Sequence, residues 1–313
     1  MTPGGPRVLV LYGGDDAEAA VSRASGPEVA RALADAGLPV RTVDLARGDA
    51  AALDAALAAA PGDPGEDVVF PVLHGPWGEG GPLQALLEDR GLAFVGAGAR
   101  AAATCMDKQR TKELAAGAGV PVVEGGVVGP GDEPPVPPPA VVKPVDDGSS
   151  VDLVMADDEA SLRAAIRHVA GRRGRALVER RVVGRELTVG LLDGSPLPVV
   201  EIVPAGGFYD YAAKYERADT LYVTAPPDLP EAVVAAAMDG ARRTWRAVGA
   251  RDLARVDFMV EDGVPRLLEV NAMPGFTARS LFPRAAAAAG YDLPRLTRRL
   301  VELAAARGAG VPG

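Results

Sequence analysis

The sequence predicts a mixed architecture: an open α/β unit at the N-terminus, followed by two smaller α+β units. Three observations carry this. The first third alternates short apolar runs with helical patterns, the middle gives several strands around one helix, and the last third holds a long hairpin between helices. At 313 residues the chain exceeds one ordinary domain, and 48% apolar content is enough to fill several cores.

In order, a strand at 8–12 ends in Gly13-Gly14 and precedes a helical pattern at 27–36. A strand at 40–43 and an Ala/Leu-rich helix at 50–59 follow. The run Val68-Val69-Phe70-Pro71-Val72-Leu73 is continuously apolar, as for a parallel strand buried on both faces. A helix at 82–89 and a strand near Phe94-Val95 complete the first unit, 1–105. In such units ligands sit at the carboxyl ends of the strands, which places Gly13 to Ser22 and His74 to Gln84 in one crevice. The central unit, 106–196, has helices at 108–119 and 160–170, a proline-rich loop at 130–139, and strands at 140–143, 151–155, 176–181 and 186–192. The last unit, 197–313, has a strand at 199–203, an aromatic loop, a helix at 231–248, a hairpin at 255–271 and two closing helices.

Composition excludes several classes. A net charge of −9 with no basic stripe argues against nucleic acid. No apolar run approaches the roughly 20 residues of a membrane span, and Met1 to Arg7 do not read as a secretion signal, so the expected location is the cytoplasm. Cys105 is the only cysteine, which leaves no disulfide framework or multi-thiolate metal site; it reads as a small buried hydrophobe. The rare polar types are more informative. Lysine occurs only at 108, 112, 143 and 214, asparagine only at 271, and histidine only at 74 and 168. A chain that avoids these types keeps them where a compact ammonium, a neutral amide or an imidazole is needed. Lys112 and His168, on helical patterns, are read as solvent-facing.

The hairpin carries the clearest chemistry. With a loop at Asp262-Gly263-Val264, Glu261 pairs with Pro265, Asp257 stands opposite Glu269, and Arg255 opposite Asn271. These four share one face, while Val256, Phe258, Val260, Leu268 and Val270 pack the other. Opposed carboxylates repel unless a cation lies between them, and two acids with an amide suit Mg²⁺ or Mn²⁺. Arg255 is placed to stabilise an oxyanion, and the Pro274-Gly275 turn could offer backbone amides to an anion. Lys143 followed by Gly148-Ser149-Ser150 reads equally as a hairpin turn and as a phosphate cradle; it is not a Walker A sequence. Phe208-Tyr209-Asp210-Tyr211-Ala-Ala-Lys214-Tyr215 reads as a packing loop or as a lid that excludes water.

Together, Gly13-Gly14…Glu18…Val21-Ser22, His74-Gly75-x-x-Gly78-Glu79-x-Gly81-x-x-Gln84, Met106-Asp107-Lys108, Lys143-Pro144…Gly148-Ser149-Ser150-Val151, the strand of Glu179, the Phe208–Tyr215 loop, Arg255-x-Asp257 and Glu269-x-Asn271…Pro274-Gly275-Phe276-Thr277…Ser280-Leu281 resemble the D-alanine–D-alanine ligases over residues 7–305. The resemblance implies an ATP-grasp architecture and an enzyme that joins two D-alanines through an acyl phosphate, for cell-wall peptidoglycan. It implies that Lys108, Lys143, Gly148, Ser149 and Ser150 hold ATP phosphates, while Glu179, the backbone of Arg180 and Val182, and Glu186 bind adenosine. Asp257, Glu269 and Asn271 would hold two Mg²⁺, Glu18 and His74 the first amino acid, and Ser280 and Leu281 the second. Glu18, Ser149 and Tyr215 would lock the lid; Arg255, the Gly275 amide and Lys214 would neutralise the reacting groups. The family also suggests a homodimer. The sequence departs from the family pattern at Ala19-Ala20, Gly80, Asp152 and Arg279. Two other readings stand beside this one: a ligase of specialised metabolism that joins a different pair, and a non-catalytic nucleotide-binding regulator, which would have a broken metal face.

Overall fold

A computed structural model describes residues 5–59, 67–148, 151–205 and 219–308. The first unit comprises β1 (Arg7–Gly13), α1 (Ala19–Asp35), β2 (Val40–Leu45), α2 (Ala50–Ala58), β3 (Asp67–Pro71), the short α3 (Gly75–Gly78), α4 (Pro82–Asp89) and β4 (Ala93–Phe94). Its four strands are parallel in the order β2-β1-β3-β4. Alternate residues of β1 enter different cores: Val8 and Val10 pack with α1 residues Val29 and Leu33, whereas Leu9 and Leu11 pack with Leu53 and Leu83. Burial on both faces is why these strands read as unbroken apolar runs. Helix α1 begins at Ala19, eight residues before the expected start, with Glu18 at its N-cap and Pro27 inside it. Gly26 and Pro27 hid this first segment, because both weaken a helical pattern. The early start sets Glu18 at the mouth of the strand-end crevice.

Two helices then lead into the second sheet: α5 (Ala99–Met106), not foreseen, and α6 (Lys108–Gly117). Strands β5 (Gly125–Val128), β6 (Ala140–Lys143), β7 (Val154–Ala156), helix α7 (Glu159–Arg173) and β8 (Ala176–Arg180) follow. The sheet is antiparallel, ordered β5-β8-β6-β7, and α7 packs Leu162, Ile166 and Val169 into its core. Strand β5 went unread because Gly125-Gly126 carry no strand signal.

The third sheet contains β9 (Arg185–Leu192), β10 (Ser195–Pro196), β11 (Val200–Val203) and β12 (Leu221–Thr224); after α8 (Glu231–Val248) come β13 (Leu253–Glu261) and β14 (Val264–Asn271). Helices α9 (Leu281–Ala288) and α10 (Leu293–Arg307) close the chain. The order is β12-β11-β9-β13-β14. Strand β9, expected with the central unit, instead lies at the middle of this sheet, paired with β11 and β13. Its buried face (Leu187, Val189, Leu191) packs against the apolar face of α8 (Val233, Ala237, Ala241) beneath this sheet.

The first and third sheets share one core. The Phe70 and Phe276 rings meet edge to face at 5.3 Å, so the crevice beyond β3 is braced against the loop after β14. At the far end, Arg307 grips buried Asp252 through two hydrogen bonds of 2.6 and 2.9 Å and also donates to the Phe94 carbonyl at 2.7 Å. The Gly96 amide donates to the same carboxylate at 2.8 Å. Arg307→Ala leaves that carboxylate buried without its cation, and we expect a loss of about 3–5 kcal/mol of stability, read as a lower urea midpoint. An unmoved midpoint would show that the latch contributes nothing.

Candidate active site

The hairpin brings its acids together. Asp257 pairs with Glu269 and Arg255 with Asn271, as the alternation of residues requires. The route to that register differs from expectation. The turn has two residues, Asp262 and Gly263 with φ of 51° and 77°, and Glu261 pairs with Val264. Both central residues sit in the left-handed region that a two-residue turn of this twist demands. A bulge then restores the alignment, since Phe258 pairs with Leu267 while Asp257 pairs with Glu269. Leu267 therefore fills the core, and Leu268, expected there, lines the cleft beside Glu269.

Protein cations meet both carboxylates. Arg255 holds Asp257 with two bonds of 2.9 Å, and Lys108 Nζ lies 3.4 Å from Glu269. Thr188, directly opposite Asp257 on β9, donates its hydroxyl to Asp257 Oδ1 at 2.5 Å. Nothing in the sequence marked Thr188, because its partner comes from a strand 69 residues away. Asn271 Oδ1 accepts the Met273 amide at 3.0 Å, which turns the chain out of β14. Among the described residues no group of three or more His, Cys, Asp or Glu could hold a metal ion. The candidate centre is thus two acids and an amide, hard oxygen donors of the kind Mg²⁺ takes.

A cavity of about 710 Å³ opens between the second and third sheets. Val141, Leu153 and Met155 form one wall; Ile202, Met259 and Leu268 form the other. Lys108, Lys143, Gly148, Glu179, Arg180, Val182 and Glu186 also line it, so the expected nucleotide residues that are described converge there. The size and the apolar walls with charged groups set among them suit a nucleotide. Lys143 Nζ lies 2.7 Å from Glu179 Oε2. Lys108 Nζ donates to the Asp147 carbonyl. A Cβ on Gly148 would lie 3.2 Å from Glu18 Oε2, so the bare backbone lets the α1 N-terminus meet the turn after β6. Ser149, Ser150, Lys214 and Tyr215, with the rest of the 208–215 loop, lie outside the described residues.

Lys112, read as solvent-facing, is 5% exposed; its ammonium contacts Glu179 Oε1 and donates to the Val123 carbonyl at 3.3 Å. Burial, then the ammonium of Lys143, pushes its pKa well below that of a free lysine. His168 is half-exposed, as expected. Cys105 is buried, and its thiol is pushed up to about 12, chiefly by burial.

The first crevice holds His74, buried beside Glu79 with Nδ1 3.7 Å from Oε1. The loop around it closes on itself: Glu79 accepts the Gly75 amide at 3.2 Å, and Gln84 spans Gly81 and Gly78. Burial lowers the His74 pKa, but Glu79, then Glu18 and Asp16, outweigh it and raise the value. Among the described residues, His74 Nε2 is buried with no hydrogen-bond partner. Ser22 binds the other side of the crevice, accepting from the Gly13 amide at 2.8 Å and donating to the Val72 carbonyl. In the loop after β14, Ser280 Oγ accepts the Thr277 amide at 3.1 Å and sits against Gly275, and Leu281 opens α9.

The departures are local. A side chain at Gly80 would strike the Pro76 carbonyl. Asp152 takes a left-handed φ of 56° and pairs with Arg172 at 3.2 Å, so it is fastened to α7. Ala19 and Ala20 form the first turn of α1, and Arg279 is exposed beside Ser280.

Two sheets that close on one nucleotide-sized cavity, with lysines and an acidic hairpin at its inner end, define the ATP-grasp class of ligases. A family model of the D-ala D-ala ligase C-terminus matches residues 135–302. The D-alanine–D-alanine ligase of Anaeromyxobacter dehalogenans (strain 2CP-C) is 41% identical over 310 residues, covering 96% of this chain and 97% of that protein. The ligase of Acidiphilium cryptum is 42% identical over 307 residues, covering 96% and 99%. The crystal structure of D-alanine–D-alanine ligase from Bacillus anthracis complexed with ATP matches at a TM-score of 0.82 and 26% identity, covering 97% and 98% of the two chains. The chain belongs to the D-alanine–D-alanine ligase family.

Arg180, which lines the cavity, binds Glu261 through two bonds of 2.6 and 2.7 Å, tying the second sheet to the hairpin, and Arg266 adds a third at 2.9 Å. Arg180 chiefly holds the Glu261 carboxyl down at about 2, against 4.5 for a free glutamate. A depressed carboxyl pKa stabilises the fold above the unfolded value and loses that contribution as pH falls through the folded one. We expect wild type to melt above Glu261→Gln at neutral pH, and the gap to close between pH 4.5 and about 2. Parallel melting curves across that window would contradict the latch.

Proposed function

We propose that this enzyme is an ATP-dependent D-alanine–D-alanine ligase, forming D-alanyl-D-alanine for peptidoglycan and releasing ADP and phosphate. The observation that carries the proposal is the pairing of Asp257 with Glu269 on one face, with Lys108 against Glu269. A non-catalytic regulator has no reason to keep that costly arrangement of charge intact.

In this reading ATP lies in the 710 Å³ cavity. Glu179, the backbone of Arg180 and Val182, and Glu186 take the adenosine, and Lys108 and Lys143 take the phosphates with the Gly148-Ser149-Ser150 turn. Asp257, Glu269 and Asn271 hold two Mg²⁺, or Mn²⁺ in their place, which neutralise the triphosphate when bound. Glu18 receives the first amino acid's ammonium, and His74, whose buried Nε2 is free among the described residues, faces its carboxylate. That carboxylate attacks the γ-phosphorus and ADP departs, leaving an acyl phosphate. The second amine, held near Ser280 and Leu281, attacks the acyl carbon, loses a proton and expels phosphate. Arg255 and the Gly275 amide steady the tetrahedral oxyanion; Lys214 neutralises the phosphoryl group, and Glu18, Ser149 and Tyr215 hold the lid. Positioning and charge neutralisation do most of the work.

The same reading divides the chain into units 1–105, 106–196 and 197–313, with β9 crossing into the third unit's sheet. It places the enzyme in the cytoplasm as a homodimer; no helix among the described residues is long and apolar enough to cross a membrane.

Mass spectrometry of a reaction containing D-alanine, ATP and Mg²⁺ tests the proposal. D-alanyl-D-alanine with ADP is expected; ADP formed only with another amino acid points to a ligase of a different pair, and the absence of both dipeptide and ADP overturns the reading. Asp257→Asn keeps the shape of the face while removing a charge. We expect it to fold normally and to lose at least about 10²-fold in ADP release, and normal turnover would remove the metal assignment.

A further inference from the structure

Helix α6 carries Lys108 and Lys112 one turn apart, so both side chains leave the same face of the helix, and of the two only Lys108 lines the cavity. The proposed reaction uses Lys108 and leaves Lys112 without a role. Yet Lys112 is buried at 5% exposure, and burying an ammonium is costly unless it is paired. Its partner is Glu179, itself 2% exposed on β8. Lys112 meets Glu179 Oε1, while Lys143 meets Oε2 at 2.7 Å, so one carboxylate is shared between a lysine from a helix and a lysine from a strand. Lys112 also donates to the Val123 carbonyl at 3.3 Å.

The two lysines are not equivalent. Lys143 lines the cavity, whereas Lys112 lies behind Glu179 and is not among the lining residues. On the reading given above, Lys143 turns to the nucleotide phosphates and Glu179 to the base. When Lys143 does so, Glu179 loses one of its two cations. A buried carboxylate left with none takes up a proton and becomes a donor as well as an acceptor.

We propose that Lys112 is the standing counter-ion of Glu179, a positioning residue that keeps this carboxylate ionised and aimed while Lys143 serves the phosphates. The ligand class that follows is a 6-aminopurine nucleotide. An ionised carboxylate accepts from an exocyclic amine and repels the carbonyl oxygen that inosine carries in its place. Lys112 thereby sets purine selectivity without touching the nucleotide. This inference rests on the assignment of Glu179 to the base, and the test separates the two.

The experiment measures KM and kcat with ATP and with inosine triphosphate for wild type, Lys112→Met, Glu179→Gln and the double variant. Lys112→Met is expected to raise KM for ATP by about tenfold, with kcat falling far less, and to cut the preference for ATP by a similar factor. In the Glu179→Gln background the lysine has nothing to hold, so the double variant should match Glu179→Gln within about twofold. A merely structural lysine would lower the melting temperature and leave KM and purine preference unmoved, which would overturn the proposal. The double variant removes both buried charges and carries the test if Lys112→Met does not fold: a large further loss in it gives Lys112 a role independent of Glu179 and also overturns the proposal. Unchanged nucleotide constants in Glu179→Gln would instead remove Glu179 from the base site.

Discussion

Two carboxylates held opposite each other across one antiparallel ladder repel, and the site is organised around answering that repulsion. Arg255 and Thr188 converge on Asp257, and Lys108 reaches Glu269. These partners come from β13, β9 and α6, so the acidic pair can exist only where the third sheet is fully assembled and α6 lies against it. The bulge at Leu268 belongs to the same arrangement. It absorbs the residue by which the tight turn would otherwise shift Glu269 away from Asp257.

The surrounding structure brings three sets of groups to this pair. The second sheet and α6 supply cations and the Glu179 carboxylate to the cavity end nearest the hairpin. The N-terminal sheet brings Glu18 and His74 from the other side, and Glu18 comes close enough to Gly148 that a larger residue there would crowd it. The Phe70–Phe276 contact and the shared core with α9 and α10 fix the distance between the first crevice and the loop of Ser280. Glu28 of α1 adds a direct tie, accepting the Ala278 amide at 2.9 Å. One helix thus begins at the proposed ammonium site and is pinned to the proposed second-substrate loop.

Much of this was legible in the sequence where residue type and spacing act together. Alternation along 255–271 gave the shared face of Arg255, Asp257, Glu269 and Asn271, and the scarcity of lysine, histidine and asparagine drew attention to Lys108, Lys143, His74 and Asn271. What failed depends on tertiary context. Lys112 looked like one more polar residue on a helix, because nothing local shows that its face covers Glu179. Thr188 is an ordinary strand residue until β9 pairs with β13. From sequence, strand β9 groups with its chain neighbours in the central unit, yet its apolar face packs against α8, which follows about 40 residues later. The start of α1 was hidden by Gly26 and Pro27, which a packed helix tolerates and a propensity argument does not.

On the proposed function, the opposed acids of the hairpin bind a divalent cation together with the nucleotide. Electron paramagnetic resonance of Mn²⁺, titrated into the protein with ADP present, reads this without requiring turnover. Wild type is expected to remove the free-ion signal, and Glu269→Gln to weaken this binding by at least about tenfold. Equal Mn²⁺ affinity in the two proteins would contradict it.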